Sequence, residues 1–181
     1  MDVLLRPARA AEIPALNALI QDSARALSRG FYTPAEIESA ARHVFGVDSA
    51  LIEDGTYLVA EVAGEPAACG GWSRRRALYG GDQRKVGAPR DPAEQLDPAV
   101  DAARIRAFFV APRWARHGLG RRLLGACTAA ARAEGFRALE LMATLPGVPF
   151  YAAEGFVELE RVRDCLPDGV AVRFVRMQKE I

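Results

Sequence analysis

Apolar residues recur along this chain at helical spacing in some stretches and in unbroken or alternating runs in others, and each change marks an element boundary. Val3–Arg6 is a short apolar run ended by Pro7, which predicts a first strand. Ile13, Ala15, Leu16 and Leu19, with Ile20 just beyond, recur at helical spacing and predict a helix over Ala11–Leu19. Thr33-Pro34-Ala35-Glu36 combines a capping threonine, a first-turn proline and an acid at the positive end of a helix. A second helix is therefore predicted from Pro34 to about His43. Tyr57–Val62, the Gly64-Glu65-Pro66 turn and Ala67–Trp72 read as an antiparallel hairpin.

The stretch Arg74–Pro98, rich in glycine and proline and carrying both charge signs, is too long for an ordinary connection and predicts either a functional lid or a disordered surface loop. Order returns with an apolar strand at Ile105–Val110. A helix over Leu119–Gly135 follows, with Leu119, Leu123, Cys127 and Ala130 on one stripe and Gly135 as its stop. Leu139–Ala143 predicts a strand and Pro149–Glu154 a short helix. Phe156–Val162 and Val170–Met177 predict two closing strands joined across an Asp168-Gly169 turn. The order is β-α-α-β-β-β-α-β-α-β-β. Its strand-helix-strand unit, Ile105–Ala143, requires a parallel pair with a right-handed crossover, and the hairpins make the rest antiparallel.

Composition narrows the function classes. At 181 residues, 50% hydrophobic and 26% charged, the chain has the profile of one soluble domain spanning 1–181. Its 24 basic and 23 acidic residues leave a net charge of +1, which argues against a partner that is nucleic acid or a membrane surface. Cys69, Cys127 and Cys165 lack the spacing of a zinc site or a disulfide framework, so no metal is expected, and they read as buried free thiols. The N-terminus does not resemble a signal peptide, and no apolar run is long enough to span a bilayer. A cytoplasmic monomer or homodimer is expected.

Positive charge is concentrated in one place. The strand ending Phe108-Phe109-Val110 runs into Ala111-Pro112-Arg113-Trp114-Ala115-Arg116-His117, then Gly118-Leu119-Gly120-Arg121-Arg122 opens a helix. Helix starts leave N–H groups unpaired and carry partial positive charge, and glycine lets backbone approach a ligand closely, so the segment suits a diphosphate. Arg113, Arg116, His117, Arg121 and Arg122 add to that field. The dinucleotide spacing fails at Leu123, and the Walker lysine pattern is absent.

The run Ala115-Arg116-His117-Gly118-Leu119-Gly120 resembles the coenzyme A signature Q/R-x-x-G-x-G/A of the GNAT superfamily of N-acetyltransferases, with alanine at its first position. Downstream, Pro149-Phe150-Tyr151-Ala152-Ala153-Glu154-Gly155-Phe156 resembles that family's F-Y-x-x-x-G-F element. Where many members carry asparagine seven residues before the tyrosine, this chain has Thr144. The resemblance implies an α/β (α+β layered) fold: a mixed, mostly antiparallel central sheet with a parallel splayed pair and helices on both faces. It also implies acetyl-CoA as cosubstrate, held by Phe108, Phe109, Val110, Ala115, Arg116, His117, Gly118, Leu119, Gly120, Arg121 and Thr144.

By the same resemblance Tyr151 is the proton donor to the leaving thiolate, in direct transfer to a primary amine of a small molecule or peptide. A place in the first turn of its helix is expected to lower the phenol's pKa. The glutamate that some members use as base falls here at Arg104, leaving Asp101, Glu140 and Asp22 as substitutes. His43 reads as a helix-surface residue and His117 as part of the phosphate end. Ala24–Thr33 and Arg74–Pro98 are expected to select the acceptor, with Phe31 and Tyr32 either walling a pocket or packing in the core. Arg74, Arg75, Arg76 and Arg106 suggest an acidic acceptor. A domain of the same fold that senses acyl-CoA without turnover is the alternative, and a basic patch for nucleic acid or a protein partner is a further one.

Overall fold

The computed structural model describes residues 2–85 and 95–181. Among them seven strands form one sheet in the order β1-β2-β3-β4-β5-β7-β6. They are β1 (Val3–Pro7), β2 (Tyr57–Val62), β3 (Glu65–Ser73), β4 (Ala103–Val110), β5 (Ala138–Thr144), β6 (Val157–Cys165) and β7 (Ala171–Glu180). Neighbours run antiparallel except for β4 and β5, which are parallel. The helices are α1 (Ile13–Leu27), α2 (Pro34–His43), α3 (Ser49–Glu53), α4 (Leu119–Ala133) and α5 (Val148–Ala153). None among the described residues is long and apolar enough to cross a membrane.

Where local chemistry is decisive, prediction and structure coincide. α2 starts at Pro34 because Thr33 Oγ1 accepts from the Glu36 N–H at 3.2 Å while Glu36 accepts from the Thr33 N–H at 2.8 Å. Elsewhere the boundaries move. α1 continues to Leu27 because Ser23 and Ala24, small residues at helical spacing from Leu16 and Ile20, are buried with them. α3 was not anticipated: five residues carry no readable period, and only Asp48, accepting from the Ala50 N–H at 3.1 Å, marks its start. On α4 the buried stripe takes in Leu124 and Ala131, and Ala130 is only partly buried. Cys69 and Cys127 are buried as expected, but Cys165 is exposed because it lies on the sheet's outermost strand.

The alternation of strand side chains separates two cores. Leu16, Ile20 and Ala24 of α1 pack with Tyr57, Val59, Cys69 and Phe174 on one face. On the other, α4 contributes Leu124 and Cys127 to a cluster with Ile105, Leu141, Tyr151 and Phe156, and Leu119 and Leu123 to one with Ala60 and Ala68. Helices thus cover both faces.

Two irregularities in the middle of the sheet create the site. β4 and β5 pair only at Ala103↔Leu139 and Arg104↔Glu140, and then part. On its other edge β4 carries a bulge: Cys69 faces Phe109 and Gly71 faces Arg106, so Gly70 opposes both Ala107 and Phe108. Ala107 takes φ +53° there, and its carbonyl accepts from the Tyr57 hydroxyl at 3.0 Å.

The described parts of Arg74–Pro98 are tied to the rest of the fold by backbone hydrogen bonds. The Leu96 N–H donates to Arg74 at 2.7 Å, and the Gly81 and Asp82 N–H groups donate to Val44 and Val47, each at 2.9 Å. The choice between lid and disorder for residues 86–94 lies outside the described residues.

Candidate active site

Where β4 and β5 part, a cavity of about 780 Å³ opens. Phe108, Phe150, Tyr151 and Gly118–Arg121 line it from the α4 side, and Ala24, Phe45, Tyr79, Phe109 and Phe174 from the α1 side. The cavity therefore passes through the sheet. From Ile105 onward the edge of β4 that faces β5 has no ladder partner, so main-chain amides are offered to whatever fills the gap.

At the α4 end the chain makes two left-handed residues, Arg116 (φ +67°) and Gly118 (φ +80°), and the helix begins without a side-chain cap. A Cβ at Gly118 would meet nothing within 4 Å, so glycine is required there by backbone conformation rather than by space. At Gly120 a Cβ would lie 3.3 Å from the Phe150 ring, which is tight. The first helical bond at this start runs from the Arg122 N–H to Gly118, leaving the N–H groups before it open, as Gly118–Arg121 line the cavity.

Every residue that the sequence assigned to the cofactor lines this cavity except His117. That imidazole is exposed, edge-on to Trp114, with Nδ1 2.8 Å from the Ala115 carbonyl oxygen. Arg113 also departs from the expected cluster: it pairs with Glu65 and lines a separate groove. Arg121 bonds Glu154 at 2.6 Å with its side chain 72% exposed, and Arg116 and Arg122 are exposed. Trp114 was missed. It lines the cavity, and its indole Nε1 is buried with no partner among the described residues. No motif marks it.

Tyr151 is buried, edge-to-face with Phe150 at 5.0 Å and Phe156 at 5.5 Å, and it lines the cavity. Burial pushes its phenol well above the ordinary value, with nearby Cys127 adding to the effect. The expected lowering by the helix start is reversed, because desolvation of the phenolate outweighs the field of a six-residue helix.

The three acids considered as bases stand elsewhere. Glu140 is buried between Arg104 at 2.8 Å and Arg176 at 2.5 Å. Asp101 accepts from the Asp97 N–H ahead of β4, and Asp22 is exposed beside Arg113 in the separate groove. Among the described lining residues Glu154 is the one carboxylate, and Arg121 holds it.

The arginines that suggested an acidic acceptor are engaged as well. Arg74 pairs with Glu134 at 2.9 Å, Arg75 with Asp54 at 2.7 Å and Arg106 with Asp48 at 2.8 Å. Tyr32 is a tie rather than a pocket wall: its hydroxyl donates to the Arg173 carbonyl at 2.6 Å and accepts from the Leu145 N–H at 2.9 Å. Phe31 lines the cavity mouth. His43 is half-buried on α2, 3.4 Å from Asp168, rather than a free surface residue.

The sequence profile of the acetyltransferase (GNAT) family matches residues 17–156. The chain belongs to that family. Among solved structures, the GCN5-related N-acetyltransferase from Rhodopseudomonas palustris superposes with a TM-score of 0.72 at 20% identity, covering 100% of this chain and 97% of that one. The PaiA N-acetyltransferase from Thermoplasma acidophilum, in complex with coenzyme A, gives 0.65 at 13% identity with 100% of each chain covered. YncA from Salmonella typhimurium, solved with acetyl-CoA, gives 0.63 at 17% identity, covering 99% and 94%. No curated protein matches the chain in sequence. The GNAT profile takes in α4 and α5 but ends before β6 and β7, so Phe174 enters the cavity from outside the matched residues.

Proposed function

We propose that this GNAT protein transfers the acetyl group of acetyl-CoA to a primary amine by direct attack within a ternary complex. The observation that carries the reading is the cavity through the sheet, with an uncapped helix start at one end and Tyr151 on its wall. The N–H groups at Gly118–Arg121, with Arg116 and Arg121, hold the diphosphate. The unpaired edge of β4 over Phe108–Val110 bonds the amides of the pantetheine arm, with Ala115, Leu119, Thr144 and the Trp114 indole completing the wall. His117 adds charge from outside the cavity. The amine arrives from the α1 side.

The amine nitrogen attacks the thioester carbonyl carbon, the C–N bond forms, and the C–S bond breaks. Tyr151 gives its proton to the departing sulfur, and the proton shed by the new amide nitrogen returns to the phenolate. Burial makes Tyr151 a reluctant acid, but it acts on the leaving group too. The buried thiol of Cys127 is pushed up to about 12 by desolvation alone. A thiolate released beside Tyr151 is destabilised by the same cause, which narrows the gap between donor and acceptor.

Coenzyme A is expected to raise the melting temperature by several degrees at saturating concentration. Tyr151→Phe is expected to lower kcat about 100-fold or more with coenzyme A affinity unchanged. An unaltered kcat across pH removes Tyr151 from the chemistry. The lining, whose one carboxylate among the described residues, Glu154, is held by Arg121, favours a second reading, an acyl-CoA sensor without turnover. Release of free thiol that depends on added amine excludes it.

A further inference from the structure

The α1 side of the cavity has a chemistry that acetyl-CoA binding does not use. Four aromatic rings stand there in a chain. Phe109 and Phe45 meet edge-to-face with centroids 5.5 Å apart, as do Phe45 and Phe174 at 6.5 Å, and Phe174 and Tyr79 lie tilted to each other at 5.5 Å. All four line the cavity. They come from β4, the α2–α3 connection, β7 and the segment after β3, so the fold gathers them across most of the chain. At the mouth Leu27 and Phe31 remain 38% and 44% exposed, a pair of large apolar side chains left in water where a ligand enters.

Charge is withheld from this side. Among the described lining residues its one cation, Arg106, is 4% exposed and bound to Asp48 and to the Gly80 carbonyl. The Tyr79 hydroxyl is turned to Asp164 at 2.8 Å, and Asp164 also holds Arg84. Ser23 and Ser28 supply neutral polar groups.

We infer that the acceptor is a small primary amine on an aromatic or compact apolar body, an arylalkylamine by chemical class. This rests on the reading that the amine enters from the α1 side. A polyamine would bring further ammonium groups into a chamber where no carboxylate among the described residues lining the α1 side meets them, and would leave them desolvated and unpaired. An acidic amino acid would find Arg106, the one cation among the described residues lining this side, already committed. A single ammonium is drawn by ring faces as it enters, and the same rings strip its water and favour the neutral form. Its proton passes to solvent at the mouth, and the nitrogen reaches the thioester with its lone pair free. The chamber thereby replaces the base that the lining lacks.

The test compares 2-phenylethylamine, spermidine, L-glutamate and a peptide with N-terminal alanine as acceptors for the whole chain with acetyl-CoA, following free thiol. The expected kcat/KM for 2-phenylethylamine exceeds the others by about 100-fold. Phe31→Ala, at an exposed position, is expected to raise KM for that amine about 10-fold and leave coenzyme A affinity unchanged. Faster reaction with spermidine, L-glutamate or the peptide overturns the inference while acetyl transfer stands. So does a failure of 2-phenylethylamine to react when coenzyme A still raises the melting temperature. If coenzyme A gives no thermal shift, the acetyltransferase reading falls first and takes the inference with it.

Discussion

The α4 end of the cavity is assembled from one short run of chain, Phe108–Arg121, together with α5, and it presents backbone: an uncapped helix start and an unpaired strand edge. The α1 end gathers Ala24, Phe45, Tyr79, Phe109 and Phe174 from across the chain and presents side chains. The charges differ in the same sense. At the α4 end Arg116, Arg121 and Arg122 stand in solvent, whereas at the α1 end Arg106 and Asp48 are almost wholly buried against each other. A backbone cradle is indifferent to most substitutions, so on the proposed reading alanine at 115 costs it little. A chamber of rings changes with each of its members, and so on the proposed reading it is the part that sets the acceptor.

The largest expected effect tests the buried pair. Arg106→Met removes the guanidinium paired with the buried Asp48 carboxylate and should cost about 3–5 kcal/mol of stability. Its melting temperature should fall by roughly 2–4 °C for each kcal/mol lost. Asp48→Asn combined with Arg106→Met should recover part of that loss. Arg121→Ala, breaking an exposed pair at the opposite end, should cost less than about 1 kcal/mol. Equal losses at the two ends in denaturant titrations would erase the contrast between them.

A smaller effect probes the backbone cradle. Gly118→Ala meets no steric obstacle, so its cost is the left-handed conformation alone, about 1–2 kcal/mol. Coenzyme A affinity should fall with it, because relief of that strain rotates the N–H groups of the helix start. Gly118→Asn should be milder on both counts, since asparagine tolerates the conformation better. If alanine weakens neither stability nor coenzyme A binding, the cradle does not depend on this turn.

The same contrast explains what the sequence could disclose. Every element of the α4 end follows from neighbours in the chain: glycine after a basic loop, a helix with an apolar stripe, and a proline before Phe150-Tyr151. The α4 end of the cavity, apart from Trp114 and the directions of Arg113 and His117, is therefore legible in the sequence itself. Arg113 and His117 misled because composition reports charge but not direction, and Glu65 and the Ala115 carbonyl decide where they point. The acceptor half was hidden because Phe45 and Phe174 look like ordinary core residues until the sheet brings their rings together. Arg106 reads as a free cation because nothing near it in the sequence announces Asp48, which the fold sets 2.8 Å away. The phenol of Tyr151 was misjudged because its depth in the fold, rather than its helix, controls it.

The smallest effect concerns how α1, the wall of the acceptor end, is fixed to the sheet. Arg6 of β1 bonds Glu12 before α1 and Glu61 of β2, each at 2.5 Å. Hydrogen bonding to Arg6 holds the Glu12 carboxyl at about 2, against an ordinary 4.5. The folded state thus binds this proton less readily than the unfolded chain. The stabilisation is complete above about pH 4.5 and is lost as pH falls from there towards 2. Glu12→Gln should flatten this acid limb of the melting-temperature profile and lower stability at pH 7 by only about 1 kcal/mol, since Arg6 keeps Glu61 and solvent screens the rest. Amide exchange should show α1 opening before α4 as the acid limb is descended, because the Arg121–Glu154 pair at the start of α4 stands in solvent and holds less than the Arg6–Glu12 pair does. If α4 opens first, or the two profiles run parallel between pH 5 and 2, Arg6 and Glu12 do not anchor the acceptor wall in solution.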